Sequence, residues 1–182
     1  MAVALVSILA QDRVGLVSEI ADHLFEAGVN LGDTTFAVLG TGAEFTAVCE
    51  LPNGLTLEAL EQELVQLPSL AAAQVRVVPY MFDPRPDETG KVTHRITISG
   101  GDQLGLVARL SDVFAQNAAN IVRLEARKLP EAEGGLYVTR FAVSIPPERA
   151  SPCLATVANT AGALGLASCG ASTGCPRSER GG

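Results

Sequence analysis

Two short segments of the sequence repeat a pattern that could hold a small charged molecule. Asp12 is followed three residues later by Gly15, and Asp102 is followed at the same spacing by Gly105. Each pair lies between an apolar, strand-like stretch and a segment whose apolar residues have helical spacing. The first N–H groups of a helix lack intrahelical partners and attract carboxylates, and a neighbouring aspartate could accept an ammonium group. The pattern therefore suits a zwitterion such as a free amino acid.

The same side chains could also have a purely structural role. Asp is a favoured N-cap residue, worth about 1 kcal/mol to a helix, and both segments need a helix start. Asn30 and Asn120 open the strands predicted next, where Asn is often a turn residue that tolerates left-handed backbone. The residue types alone therefore leave helix capping and ligand binding open.

The two segments belong to an internal duplication with an offset of 90 residues. The same offset pairs Val6 with Ile96, and Asp22 with Asp112, without a gap. Self-similarity over such a stretch indicates two copies of one module. Residues 82–91 contain prolines, a glycine and several charges, which is typical of a linker. The sequence thus predicts modules at residues 1–81 and 92–170, a linker at 82–91 and a disordered tail at 171–182.

Each copy is predicted to fold in the order β-α-β-β-α-β. This order is typical of the α+β, ferredoxin-like fold, in which both helices cover one face of a four-stranded antiparallel sheet. The first strand, residues 2–9, is apolar enough to be expected buried on both faces. The second copy ends less clearly, because its last helix contains Pro152 and its apolar pattern decays beyond Gly165. Since the helices leave one sheet face open, pairing of two copies or of two chains is expected.

Composition limits the classes of partner and of chemistry. The net charge of −7 argues against direct binding to nucleic acid, and no apolar run approaches the roughly 18–20 residues that span a bilayer. The four cysteines form no CxxC pair, so free thiols and a cytoplasmic location are expected. His23 and His94 fall on different modules and are expected at the surface. The sequence predicts no catalytic residues, no metal site and no cofactor.

The duplicated segments resemble a known family. Asp12-Arg13-Val14-Gly15-Leu16-Val17 with Gly28-Val29-Asn30-Leu31 is similar to the ACT-domain signature, and residues 102–107 with Asn120-Ile121 repeat it. The tandem arrangement resembles the glycine cleavage system transcriptional repressor family. This resemblance implies amino-acid binding between ACT modules and no catalysis. The contact positions that it implies are Asp12, Arg13, Val14, Gly15, Leu16 and Asn30 in the first copy, and Asp102, Gln103, Leu104, Gly105, Leu106 and Asn120 in the second.

The favoured hypothesis is a non-catalytic regulatory protein that binds a glycine- or serine-like amino acid. It would act as a homodimer and modulate a protein partner, either a transcription factor or a metabolic enzyme. The alternative hypothesis is a ligand-free interaction module whose duplicated folds build a dimer surface. An enzyme fragment is disfavoured, because the two predicted modules fill nearly the whole sequence and leave no room for a catalytic domain.

Overall fold

The chain divides into two compact units between residues 85 and 86, here called unit 1 and unit 2. The computed structural model describes residues 2–83, 90–101, 104–130 and 135–172. Most of the expected linker, residues 84–89, lies outside the described residues.

Unit 1 contains four strands and two α-helices in the predicted order. They are β1 (Ala2–Gln11), α1 (Leu16–Glu26), β2 (Asn30–Leu39), β3 (Gly42–Leu51), α2 (Leu57–Val65) and β4 (Gln74–Pro79). The Thr56 hydroxyl accepts the Ala59 N–H at 3.1 Å and so caps α2. A short 3-10 turn, Pro68–Leu70, follows α2 because proline cannot continue the α-helical hydrogen bonds.

The strands of unit 1 form one antiparallel sheet in the order β2-β3-β1-β4. Strand β1 pairs with β3 along its whole length, from Ala2 opposite Leu51 to Gln11 opposite Gly42. Strand β2 lies at an edge and pairs with β3 only, with a bulge between Leu31 and Thr34. This arrangement places the β1–α1 loop and the start of β2 at opposite ends of the sheet.

The core of unit 1 lies between the helices and one face of the sheet. Alternate residues of β1 are buried, and they pack with Leu16, Ile20 and Leu24 of α1 and with Leu60 and Leu64 of α2. Each buried aliphatic side chain of this kind contributes about 1.5–3 kcal/mol by leaving water. The prediction that both faces of β1 are buried is wrong within the unit. Both helices cover the same face, which leaves Leu9 on the other face 45% exposed.

Unit 2 has the same order of elements and the same sheet topology. Its sheet order is β6-β7-β5-β8, and every strand pair is antiparallel. The elements are β5 (His94–Gly100), α3 (Leu106–Gln116), β6 (Asn120–Lys128), β7 (Tyr137–Ser144), α4 (Pro147–Ala163) and β8 (Ala167–Ser172). The predicted α+β, ferredoxin-like βαββαβ fold is thus confirmed in both copies.

The end of unit 2 is better formed than its sequence pattern suggests. Helix α4 has 17 residues and continues past Pro152, whose carbonyl accepts the Thr156 hydroxyl at 2.9 Å. Strand β8 pairs with β5 as far as Ser172, two residues beyond the boundary expected at 170. Its small residues fit a close neighbour, since a Cβ on Gly170 would lie 3.7 Å from Leu154 of α4. Backbone pairing rather than apolar alternation therefore defines this strand. The expected tail beyond it, residues 173–182, lies outside the described residues.

Candidate ligand-binding loops

The loop between β1 and α1 is shaped by Gly15 rather than by Asp12. Helix α1 begins at Leu16, and its N-cap is Gly15, whose φ of 88° is left-handed. An L-residue there would be strained, which gives glycine its role at this position. Asp12 instead donates its backbone N–H to the Thr41 carbonyl in the β2–β3 turn at 3.0 Å. The structural alternative in which Asp12 caps α1 is therefore wrong.

The uncapped helix start leaves donors available in unit 1. The Leu16 N–H donates to the Arg13 carbonyl at 3.3 Å, and the Glu19 N–H donates to the Gly15 carbonyl at 3.0 Å. Between them, the N–H groups of Val17 and Ser18 have no acceptor among the described residues. Two adjacent free N–H groups at a helix N-terminus form a site for a carboxylate.

The corresponding loop of unit 2 has the same backbone at its glycine. Gly105 is the N-cap of α3 with a φ of 79°, and the buried Leu106 follows it as Leu16 follows Gly15. Asp102 and Gln103 lie outside the described residues, so their predicted contacts stay predictions. The part of the loop that is described thus repeats the first copy.

Both loops expose an apolar side chain completely. Val14 is 100% exposed and Leu104, at the equivalent position, is 99% exposed. Single exposed apolar residues are ordinary on protein surfaces. Exposure of the same position in both copies, directly before the left-handed glycine, is more informative. It leaves an apolar contact available beside each helix N-terminus.

The charges around the two loops differ. In unit 1, Arg13 forms an ion pair with Glu19 in the first turn of α1. The Ser69 hydroxyl lowers the pKa of Glu19, and the Arg13 guanidinium lowers it further. The equivalent positions in unit 2 are Gln103 and Arg109, so the first turn of α3 carries a cation where α1 carries a carboxylate. The loop of unit 2 therefore has the more positive charge beside its helix N-terminus, which favours an anionic group.

Asn30 and Asn120, predicted to share a site with the loops before α1 and α3, lie far from the loop of their own unit. Asn30 is opposite Glu50 in the β2–β3 register, and its Nδ2 donates to Glu50 Oε2 at 3.1 Å. Glu50 in turn is opposite Val3, eight residues from Gln11 at the loop end of β1, which corresponds to roughly 27 Å of extended strand. Asn120 likewise lies opposite Ser144, at the end of the unit 2 sheet away from Gly105. Within one unit, the loop and the asparagine therefore cannot contact the same small ligand.

The other reactive side chains provide no catalytic arrangement in the described part of the chain. Burial raises the pKa of the Cys49 thiol to about 11 and also raises that of Cys153, so both stay protonated at neutral pH. His23, expected at the surface, is partly covered, and its Nε2 lies 3.7 Å from Glu63 Oε2. His94 Nδ1 lies 2.9 Å from the Thr93 hydroxyl. Within the described residues, no group of three or more His, Cys, Asp or Glu side chains could hold a metal ion.

The βαββαβ fold, with a first helix that begins after a left-handed glycine, occurs in both units. Residues 3–78, which lie in unit 1, match the family model of the ACT domain. No curated protein sequence matches the chain. Within the described residues, no helix is long and apolar enough to cross a membrane.

Two solved structures resemble the whole chain. A crystal structure of a protein of unknown function from Galdieria sulphuraria has a TM-score of 0.71 and 22% identity, covering 94% of this chain and 98% of that one. A crystal structure provisionally described as a glycine cleavage system transcriptional repressor has a TM-score of 0.67 and 14% identity, covering 94% and 96%. At these identities the likeness shows a shared tandem fold.

Proposed function

We propose that this protein is a non-catalytic sensor of a small amino acid, which it binds at the two loops that precede α1 and α3. The observation that carries the proposal is the duplicated helix start. A left-handed glycine replaces a capping side chain in both copies, beside an aspartate in the sequence and a fully exposed apolar residue. These features supply a group for each part of a small zwitterion.

The unit 1 loop illustrates the chemistry. The N–H groups of Val17 and Ser18 would receive the ligand carboxylate, since they lack acceptors among the described residues. The exposed Asp12 carboxylate would pair with the ammonium group, because its backbone, and not its side chain, holds the loop. Val14 would contact the short side chain of a serine-like ligand, whereas a glycine-like ligand would be held by the N–H groups and Asp12 alone. We expect the loop of unit 2 to bind more tightly because Arg109 adds a cation there.

A second copy of the chain would complete the site and explain the position of Asn30. The free edge of β2 exposes Leu31, Val38 and Leu39, which are 36%, 40% and 59% exposed. If two β2 edges pair antiparallel, Asn30 of one chain lies beside the Leu39 end of the other, where the Asp12 loop is hydrogen-bonded to Thr41. The ligand would then contact a loop from one chain and an asparagine from its partner. Ligand binding and dimer association are coupled in this proposal.

The signal would pass to a protein partner, either a transcription factor or a metabolic enzyme. The chain carries a net charge of −7, which opposes direct binding to a phosphate backbone. Glycine cleavage repression is named for one similar structure, and it is a candidate context for this protein. The likeness that supports this context is one of fold.

Calorimetric titration with the twenty amino acids tests the proposal directly. We expect one or more small amino acids to bind, and Asp12→Ala together with Asp102→Ala to weaken binding at least tenfold. Asp22→Ala and Asp112→Ala provide a matched control, because these aspartates are related by the same offset and are exposed on α1 and α3. Absence of binding across the panel, or equal losses in both pairs of variants, would contradict amino-acid sensing at the loops.

The second candidate is a ligand-free module whose role is dimerisation. The exposed apolar residues on the β2 edge favour it, because such an edge can pair without any ligand. Thermal unfolding with added glycine or serine separates the two candidates. A ligand at 100 times its Kd adds about 2.7 kcal/mol to stability, whereas a module without a ligand site shows no change.

A further inference from the structure

The open face of the unit 2 sheet carries an unusual concentration of positive charge. Strand alternation puts four arginines and only one carboxylate among the charged residues of this face on β5, β6 and β7. These residues are Arg95, Arg123, Arg127, Arg140 and Glu125. The local excess contrasts with the net charge of −7 for the whole chain.

The strand register groups three of these arginines around a small residue. Arg95 on β5 and Arg123 on β6 are both opposite Ala142 on β7, on its two sides. Strands lie about 4.8 Å apart, so the two arginine backbones are roughly 10 Å apart with only a methyl group between them. Arg140 is two residues before Ala142 and points to the same face. The result is a cavity of about 130 Å³ whose lining includes all three arginines, Thr97 and Glu125.

Glu125 is the one carboxylate in the lining of this cavity among the described residues, and it lies opposite Arg140 in the strand register. Arg123 Nε lies 3.0 Å from Glu125 Oε1 in an ion pair. Arg95 and Arg140 form no ion pair with the described residues. Unpaired guanidinium groups present planar forks of N–H donors that match carboxylate and phosphate oxygens. Their convergence on one cavity indicates a site for an anion with more than one charged oxygen group.

Unit 1 lacks the same feature at the same place in its fold. Val6 of β1 and Ile96 of β5 are equivalent, and they are opposite Ala47 and Phe141. The positions of Arg95, Arg140 and Ala142 therefore correspond to Leu5, Thr46 and Val48. The cationic cavity is thus a property of unit 2 and not a general property of this fold.

We propose that this cavity binds a small organic or inorganic polyanion, with two oxyanion groups held by Arg95 and Arg140. The bound anion would be a second ligand, separate from the amino acid expected at the loops. A nucleic acid strand fits less well, because the described residues of this sheet face include no aromatic side chain on which bases could stack. The small floor formed by Ala142 also favours a compact ligand.

Titration of the full-length protein with pyrophosphate and with citrate tests this proposal. We expect saturable binding of at least one probe, which Arg95→Gln and Arg140→Gln each weaken at least tenfold. Arg149→Gln and Arg76→Gln are matched controls, since Arg149 is exposed on α4 and Arg76 is exposed on β4 of unit 1. The controls should leave the Kd within twofold, and thermal unfolding should show that all four variants remain folded.

Three results would overturn the proposal. The first is binding of neither probe, and the second is an equal loss of affinity in the control variants, which would indicate general charge attraction. The third is saturable binding of polyglutamate but not of pyrophosphate or citrate, which would assign the arginines to an acidic protein. Chemical-shift changes confined to β5, β6 and β7 on addition of pyrophosphate or citrate would support the proposed polyanion site. Glycine binding at the loops is measured separately, so failure of either proposal leaves the other testable.

Discussion

The two units share a backbone plan but differ in the surfaces that they present. Their first loops agree closely, with left-handed Gly15 and Gly105, buried Leu16 and Leu106, and an exposed apolar residue before each glycine. Their open sheet faces disagree, since unit 1 has Leu5 and Val48 where unit 2 has arginine and alanine. The difference shows that a duplicated fold can keep the same loop backbone in both copies while the open face of the sheet changes in one of them.

The cores of the two units also differ in the position of their largest side chain on the third strand. Opposite the equivalent residues Ile8 and Ile98, unit 1 has Phe45 and unit 2 has Thr139. Two residues further along the strand, unit 1 has Ala47, whereas unit 2 has Phe141, which packs on Phe114 with ring centroids 5.2 Å apart. One phenylalanine thus fills each core, Phe45 on β3 of unit 1 and Phe141 on β7 of unit 2, from positions two residues apart. At the position of Phe45, unit 2 buries the hydroxyl of Thr139.

Truncating these aromatic residues should have the largest effect. Phe45 and Phe141 are 2% and 1% exposed, so Phe45→Ala and Phe141→Ala should each cost about 3–5 kcal/mol. We expect hydrogen exchange measured by mass spectrometry to accelerate mainly in the unit that carries the substitution. Equal acceleration in both units for each variant would show that the chain unfolds as one body.

Removing the buried hydroxyl of unit 2 should have the next largest effect. Thr139 is fully buried, and its Oγ1 has no hydrogen-bond partner among the described residues. Thr139→Val should therefore stabilise the protein by about 1 kcal/mol, measured by urea unfolding. Thr93→Val is the matched control, because the Thr93 hydroxyl accepts the Ile145 N–H at 2.9 Å. Its removal should therefore lower the free energy of unfolding. A more stable Thr93→Val variant, or a less stable Thr139→Val variant, would contradict a destabilising role for the buried Thr139 hydroxyl.

The residues that follow α1 and α3 allow reciprocal substitutions between glycine and alanine. Gly28 and Ala118 are equivalent and both left-handed, with φ of 74° and 52°. Ala118→Gly should relieve backbone strain and stabilise unit 2 by about 0.5–1 kcal/mol after the entropic cost of glycine, and Gly28→Ala should destabilise unit 1 by a similar amount.

The control for this exchange is Gly162→Ala. Gly162 lies in helix α4 without positive φ, and a Cβ would meet no heavy atom within 4 Å. Alanine should therefore stabilise the protein at this position. Thermal unfolding of the three variants gives the comparison, and the same sign for both glycine-to-alanine changes would refute the strain argument.

The smallest effect on stability is expected at the exposed loop residues. Val14→Ser and Leu104→Ser remove side chains that are almost completely exposed, so the free energy of unfolding should change by less than about 0.5 kcal/mol. If the loops bind an amino acid, affinity should fall several-fold in both variants. Unchanged affinity in both would remove the apolar side chains from the proposed site.

Several features of this protein are local, and the sequence alone determines them. The offset of 90 residues predicts two modules, and apolar spacing predicts α1 and α3. These predictions succeed because helix starts and amphipathic faces depend on residues a few positions apart. The last strand of unit 2 has little apolar alternation in its sequence, because β8 is held by backbone pairing with β5, which is distant in sequence.

The arrangement of the proposed sites depends on the tertiary structure, because antiparallel pairing joins residues far apart in the chain. Register separates Asn30 from the Asp12 loop of its own unit, although the sequence signature places them together. Register also brings Arg95 to Arg123 and Arg140, whereas the sequence shows only arginines scattered along strands. The sequence by itself therefore determines which elements form, and only the sheet decides which of their side chains can act together.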